Sequence, residues 1–155
     1  MNLSLLRLFH AIDPGDKFWI DEIASEGSES VIEKIENDYY PSKKRSIGRI
    51  QERLKRPVSD LVKEIEDAGG KFISQGDTEW PHALNDLISP PIGLIVRGDL
   101  PSCNSVSIVG TRNPTTYGAR VASDFSAGFV DRSVEVISGG AYGIDTHAHR
   151  GALAA

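Results

Sequence analysis

Apolar residues recur at helical spacing through the first 68 positions and as short unbroken runs after Gly70. Leu3, Leu5, Leu6, Leu8, Phe9 and Ile12 form one segment that stops at the turn signal Asp13-Pro14-Gly15. Phe18, Trp19, Ile20 and Ile23 predict a second helix ending near Gly27. Ser28 or Ser30 is placed to cap a third, which buries Val31, Ile32 and Ile35. Tyr40-Pro41 breaks the chain, and Ile47, Ile50 and Leu54 then mark a helix over 46–56 that Pro57 ends. Leu61, Val62 and Ile65 give the last helix of the series, closed by Gly69-Gly70.

After Gly70 the period shortens. Lys71-Phe72-Ile73-Ser74 reads as a strand, residues 81–87 as a helical turn, and Ile92-Gly93-Leu94-Ile95-Val96 as a continuous apolar strand ended by Arg97-Gly98-Asp99. Two more strands, 105–109 and 134–138, flank an amphipathic helix expected over about 118–131, and a final helix starts near Ile144. Strands alternating with helices predict an α/β fold with a parallel, doubly wound sheet. Four strands with one complete crossover helix amount to the first half of such a sheet, so the expectation is a truncated domain. The predicted division is a helical unit over 1–68 and a sheet unit over 69–155.

Composition narrows the class. The chain has 155 residues, 39% of them hydrophobic, which supports a folded core. Its one cysteine, Cys103, excludes an internal disulfide, fits a reducing cytosol, and has no base near it in sequence to make it a nucleophile. No run of eighteen apolar residues predicts a membrane span, and the start has no secretory lead, so a cytoplasmic protein is expected. Net charge is −5, which argues against a broadly basic nucleic-acid coat. Between Lys43 and Arg56, however, seven basic residues stand against one acid. Any polyanion site is therefore local.

The candidate chemistry lies mainly at two glycine turns. Gly110 and Gly139 are 29 positions apart, the length of one strand-helix-strand unit. Both turns then fall at the carboxyl edge of neighbouring parallel strands, where open α/β sheets bind ligands. Gly110 allows close backbone approach, Thr111 offers a hydroxyl, and Arg112 a five-donor fork suited to phosphate. Phosphate is favoured over a tie to a nearby carboxylate. Ser138, Gly139, Gly140, Ala141, Tyr142 and Gly143 form either a nest of N–H groups for an anion or a plain strand-to-helix turn. Neither segment is G-x-G-x-x-G, so no nicotinamide or other cofactor is expected.

Asp145-x-His147-x-His149 invites a metal, but residues two apart on a helix face apart, and no second ligand cluster exists upstream. The expectation is no metal, with Asp145 as a helix cap and one histidine bonding near the turn. Arg45, Arg49, Arg53 and Arg56 share one face of the fourth helix. They form a secondary candidate for phosphates, or a solvated face balancing acids such as Glu64 and Glu66.

Ile108-Val109-Gly110-Thr111-Arg112-x-Pro114-Thr115-x-Tyr117-Gly118, followed by Ser138-Gly139-x-Ala141-x-Gly143-Ile144-Asp145-x-x-Ala148-His149-x-x-Ala152-Leu153, resembles the DprA/Smf family of DNA-processing proteins. Trp80-Pro81-x-x-Leu84, Pro90-Pro91 and Arg97-Gly98 agree with it. The likeness covers about residues 70–155, and the helical start is similar to the family's sterile-alpha-motif-like domain in kind and placement. The resemblance implies a Rossmann-like domain that binds single-stranded DNA and a mediator that loads the RecA recombinase during natural transformation. It implies a homodimer for the full-length family, with the dimer and RecA surfaces expected beyond Ala155, and no enzymatic activity. It places DNA phosphates at Gly110, Thr111, Arg112, Tyr117, Gly118, Ser138, Gly139, Gly140, Tyr142 and Gly143. Tyr142 stands where family members commonly carry arginine, and an aromatic there is suited to stacking on a base. The alternative is a nucleotide-binding or N-glycoside-cleaving enzyme on a related fold, although the Pro-Gly-Gly-x-Gly-Thr loop of such enzymes does not occur here.

Overall fold

The computed structural model describes residues 1–100 and 104–155, with the backbone but not the side chains of Lys44 and Arg45. The expectations for Cys103 and for the Arg45 side chain lie outside the described residues. Contacts gather the chain into two compact units, Met1–Leu100 and Pro101–Ala155.

The first unit opens with five helices: α1 (Leu3–Ala11), α2 (Lys17–Glu26), α3 (Ser28–Glu36), α4 (Lys44–Leu54) and α5 (Val58–Asp67). Asn2 caps α1 by accepting from Leu5 N, and Asp16 caps α2 by accepting from Phe18 N. The expected serine cap of α3 is corrected. Ser28 is already helical, and Gly27 stands at the N-cap with φ +82° and no side-chain bond. That positive φ suits glycine and lets α2 end and α3 begin around a single residue.

The apolar faces of α1 to α4 meet in one core of Leu8, Ala11, Trp19, Val31, Ile35, Ile47, Ile50 and Leu54. Trp19 and Tyr40 pack edge to face at 5.0 Å, and the Tyr40 hydroxyl donates to Glu22 Oε2 at 2.9 Å. A second cluster joins Leu6, Leu61 and Ile65 to Phe72 of the first strand, β1 (Gly70–Ile73). Because Phe72 completes a core built by α1 and α5, the expected division at 68–69 falls inside this unit.

β1 pairs with β2 (Leu94–Arg97) antiparallel, Gly70 opposite Arg97 and Ile73 opposite Leu94. This corrects the expectation that all four strands share one parallel sheet. A parallel return needs a crossover long enough to carry the chain back, usually a helix. Between β1 and β2 there is only a 3-10 turn, His82–Asp86, tied down by Trp80 Nε1 donating to Asn85 Oδ1 at 2.9 Å. The chain therefore returns in the opposite direction.

In the second unit β3 (Ser105–Ser107) and β4 (Glu135–Ile137) are parallel neighbours, with Val106 opposite Val136. This is the predicted pairing. Between them runs α6 (Thr116–Val130), capped by Thr115, whose hydroxyl accepts from Gly118 N at 3.1 Å. After β4 comes α7 (Ile144–Ala154). The two helices meet through small residues, with Ala122, Ser126, Ala148 and Gly151 buried. A Cβ on Gly151 would stand 2.7 Å from Ser123 Cα, so the close approach requires glycine. The fold is thus mixed, with helices before Gly70 and a helix-flanked parallel pair at the end. Among the described residues no helix is long and apolar enough to cross a membrane.

Candidate functional site

Parallel pairing brings the carboxyl ends of β3 and β4 side by side, so the two glycine turns meet. Ile144 N donates to Thr111 O at 3.1 Å, and a Cβ on Gly110 would stand 2.7 Å from Ile144 Cγ1. Gly143 has φ +91°, and a Cβ there would lie 2.7 Å from Arg112 Cα and from its carbonyl carbon. The second turn therefore presses its backbone against the first. Only glycine combines that φ with that clearance.

Within this joint, several candidate groups are already engaged. Ser138 Oγ donates to Ile108 O at 2.6 Å and ties β4 to β3. The Thr111 hydroxyl accepts from Asn113 N at 3.1 Å and stiffens the first turn. The Gly118 N–H is spent on the Thr115 cap. Others are open. Arg112 is exposed and, among the described residues, forms no ion pair. Tyr117 is 78% exposed and Tyr142 85% exposed. A Cβ on Gly140 would meet nothing within 4 Å.

Asp145 does not cap α7, because Gly143 holds the N-cap position and makes no side-chain bond. Asp145 stands instead in the first helical turn, buried, with Oδ2 2.7 Å from where a Cβ on Gly139 would be. His149 does bond near the turn, its Nε2 3.0 Å from Gly139 O. No three His, Cys, Asp or Glu among the described residues are placed to hold a metal ion. Sequence reasoning missed the burial of Asp145. The signal available was a glycine required where its carboxylate approaches the preceding turn.

The basic face of α4 is occupied from within. Arg49 and Arg53 both pair with Asp13, and Arg53 also donates to Ala11 O at 3.0 Å. Arg56 pairs with Glu64. The hydrogen bond from Arg53 holds the Asp13 carboxyl below the usual carboxylate range against an opposing desolvation, helped by the charges of Arg49 and Arg53.

Residues 71–155 match the family model described as DNA recombination-mediator protein A. The chain is 40% identical over 111 residues to a DNA processing protein DprA of Mycobacterium tuberculosis, covering 62% of this chain and 28% of that protein. It is 32% identical over 130 residues to Protein Smf of Borreliella burgdorferi, covering 80% and 40%. The X-ray structure of DNA processing protein A from Streptococcus pneumoniae superposes with a TM-score of 0.67 at 22% identity, over 99% of this chain and 54% of that one. At that identity the likeness is one of fold. The chain thus spans less than half the length of these two curated relatives.

Proposed function

The chain belongs to the DNA recombination-mediator protein A family, and from that premise we propose that it is a non-enzymatic module that binds single-stranded DNA at the joined glycine turns. In a longer cytoplasmic protein this module would serve DNA uptake by holding the incoming strand for the RecA recombinase, as a homodimer. The observation that carries the reading is Arg112. It stands at the carboxyl edge of a parallel strand pair, exposed, with no carboxylate among the described residues neutralising it. A guanidinium in that setting is free to take a phosphate by two parallel N–H bonds. Gly140 faces open space and leaves a strand room to come close to the backbone, while Gly110, Gly139 and Gly143 let the two turns and Asp145 close up beneath it. Tyr117 and Tyr142 supply exposed rings, which every base can stack on and which therefore suit an unpaired strand of any sequence.

Thr111, Ser138 and Gly118 act behind this surface, holding the turns in shape through the bonds described above. The face of Arg49, Arg53 and Arg56 becomes a structural feature in this reading. The test is titration of a fluorescently labelled single strand with the chain at several salt concentrations. Binding that weakens steadily as salt rises, with a duplex of the same sequence competing poorly, is the expected result. No binding, or binding indifferent to salt, overturns the proposal.

A further inference from the structure

A carboxylate sits beneath the second glycine turn, and it changes what that turn is able to hold. Asp145 is 8% exposed and has no hydrogen bond or ion pair with any described residue. Among the described residues no side-chain oxygen is both shut off from solvent and without a partner. The Asp145 oxygens therefore keep a window to solvent. Any side chain at position 139 would stand over Oδ2, whereas glycine leaves that oxygen uncovered, and Gly140 beside it faces open space. Two backbone acceptors of the turn are already engaged: Gly139 O lies 3.0 Å from His149 Nε2, and Ala141 O accepts from Thr146 Oγ1 at 2.8 Å. Asp145 keeps both carboxylate oxygens without a partner among the described residues. The N-terminal end of α7 stabilises negative charge there.

A phosphate brought to this turn would meet a like charge, while an N–H donor would find two oxygens lacking partners. Resting on the DNA-binding reading above, we propose that the two turns divide the nucleotide. The first turn takes phosphate through Arg112, and the second takes a base, preferentially guanine, whose donor edge is read by Asp145. Guanine is the DNA base with two N–H donors side by side on its Watson–Crick edge, at N1 and N2, and that pair matches a carboxylate. The same edge is occupied in a duplex, so this recognition requires an unpaired strand. Tyr142, three positions before Asp145 and 85% exposed, offers the ring on which the base would stack.

The experiment uses the full 155-residue chain and labelled single strands of equal length and charge. One carries guanines in a thymine background, one has hypoxanthine at each guanine, and one is thymine throughout. Hypoxanthine lacks only the N2 amine. The guanine strand should bind about tenfold tighter than the hypoxanthine strand, the worth of one hydrogen bond to a charged group. Asp145→Asn, checked for folding by circular dichroism, should bring the two together. Gly139→Ala, whose Cβ would cover Oδ2, should do the same if Asp145→Asn does not fold. Equal binding of all three strands by the unaltered chain overturns the division of the site and leaves DNA binding at Arg112 standing. A guanine preference that survives in both variants also overturns it. Failure to bind any strand overturns both readings.

Discussion

Helix α4 and the Gly110 turn both present arginine on the surface, and their surroundings differ in kind. On α4, Arg49 and Arg53 share Asp13 and Arg56 holds Glu64, so each guanidinium already has an internal partner. At the turn, Arg112 has no such partner among the described residues, and glycine backbone lies against it where a side chain would otherwise stand. The cluster with more positive charge is thus the poorer candidate for a polyanion, because a strand arriving there would first have to displace carboxylates. What marks an anion site is a cation without a partner beside an open approach. The local count of basic residues does not.

The largest effect that would break this contrast concerns the joint between the turns. Gly143→Ala adds a Cβ 2.7 Å from Arg112 Cα at a φ of +91°. It should destabilise the unit by roughly 2–4 kcal/mol through backbone strain and overpacking. Gly140→Ala, with nothing near it, should change stability by no more than about 0.5 kcal/mol. Thermal unfolding of the pair checks this, and equal losses would mean that the turns are not pressed together as described.

Next in size is the aromatic rim. Tyr142→Ala should weaken single-strand binding by about 1–3 kcal/mol while leaving the salt dependence unchanged, because a stacking ring carries no charge. Binding at full strength would make Tyr142 irrelevant to the strand. On α4 the expected effects are on stability instead. Arg53→Ala should lower the melting temperature more than Arg49→Ala, since Arg53 loses a bond to Ala11 O as well as the Asp13 pair. Neither should alter DNA affinity.

A smaller effect is set by pH. Burial holds His10 below its ordinary value of 6.5, and the charges of Arg56 and Arg53 push the same way. Unfolding restores the ordinary value, so below about pH 6.5 the unfolded chain binds more protons. The stability tied to His10 is present above that pH and is lost as pH falls through its lowered folded value. Asp13, also held low, acts in the same direction in the acidic range. Melting temperature measured from about pH 7.5 to 5 should fall, and His10→Gln should flatten the decline. A rise on acidification would contradict the assignment.

Much of this arrangement is legible in the chain. The spacing of Ile47, Ile50 and Leu54 places α4, and the interval between Gly110 and Gly139 places β3 beside β4 with their turns together. The direction of β2 is not legible, because it depends on whether the segment from Ser74 to Gly93 forms a crossover helix, and its turn residues build only a short 3-10 stretch. Glu64, eight positions from Arg56, is legible as one of the acids that balance this face, though the sequence does not name its partner. The Asp13 pairs span 36 and 40 positions and exist only once α1 and α4 pack together. Asp145 resembles a helix cap in sequence. Its burial beneath Gly139 follows from how α7 docks on the turn, which periodicity does not encode.

The most direct test of the contrast is the salt dependence of single-strand binding in Arg112→Ala beside Arg49→Ala and Arg56→Ala. Loss of one charge-assisted phosphate contact is worth roughly 1.5–3 kcal/mol, about one to two decades of affinity. Arg112→Ala should show that loss, and the slope of log affinity against log salt should flatten by about 0.7. The two α4 variants should match the unaltered chain in both quantities. An Arg112→Ala protein that folds and keeps both its affinity and its slope, while an α4 variant loses them, would contradict the account and move the site to the basic helix.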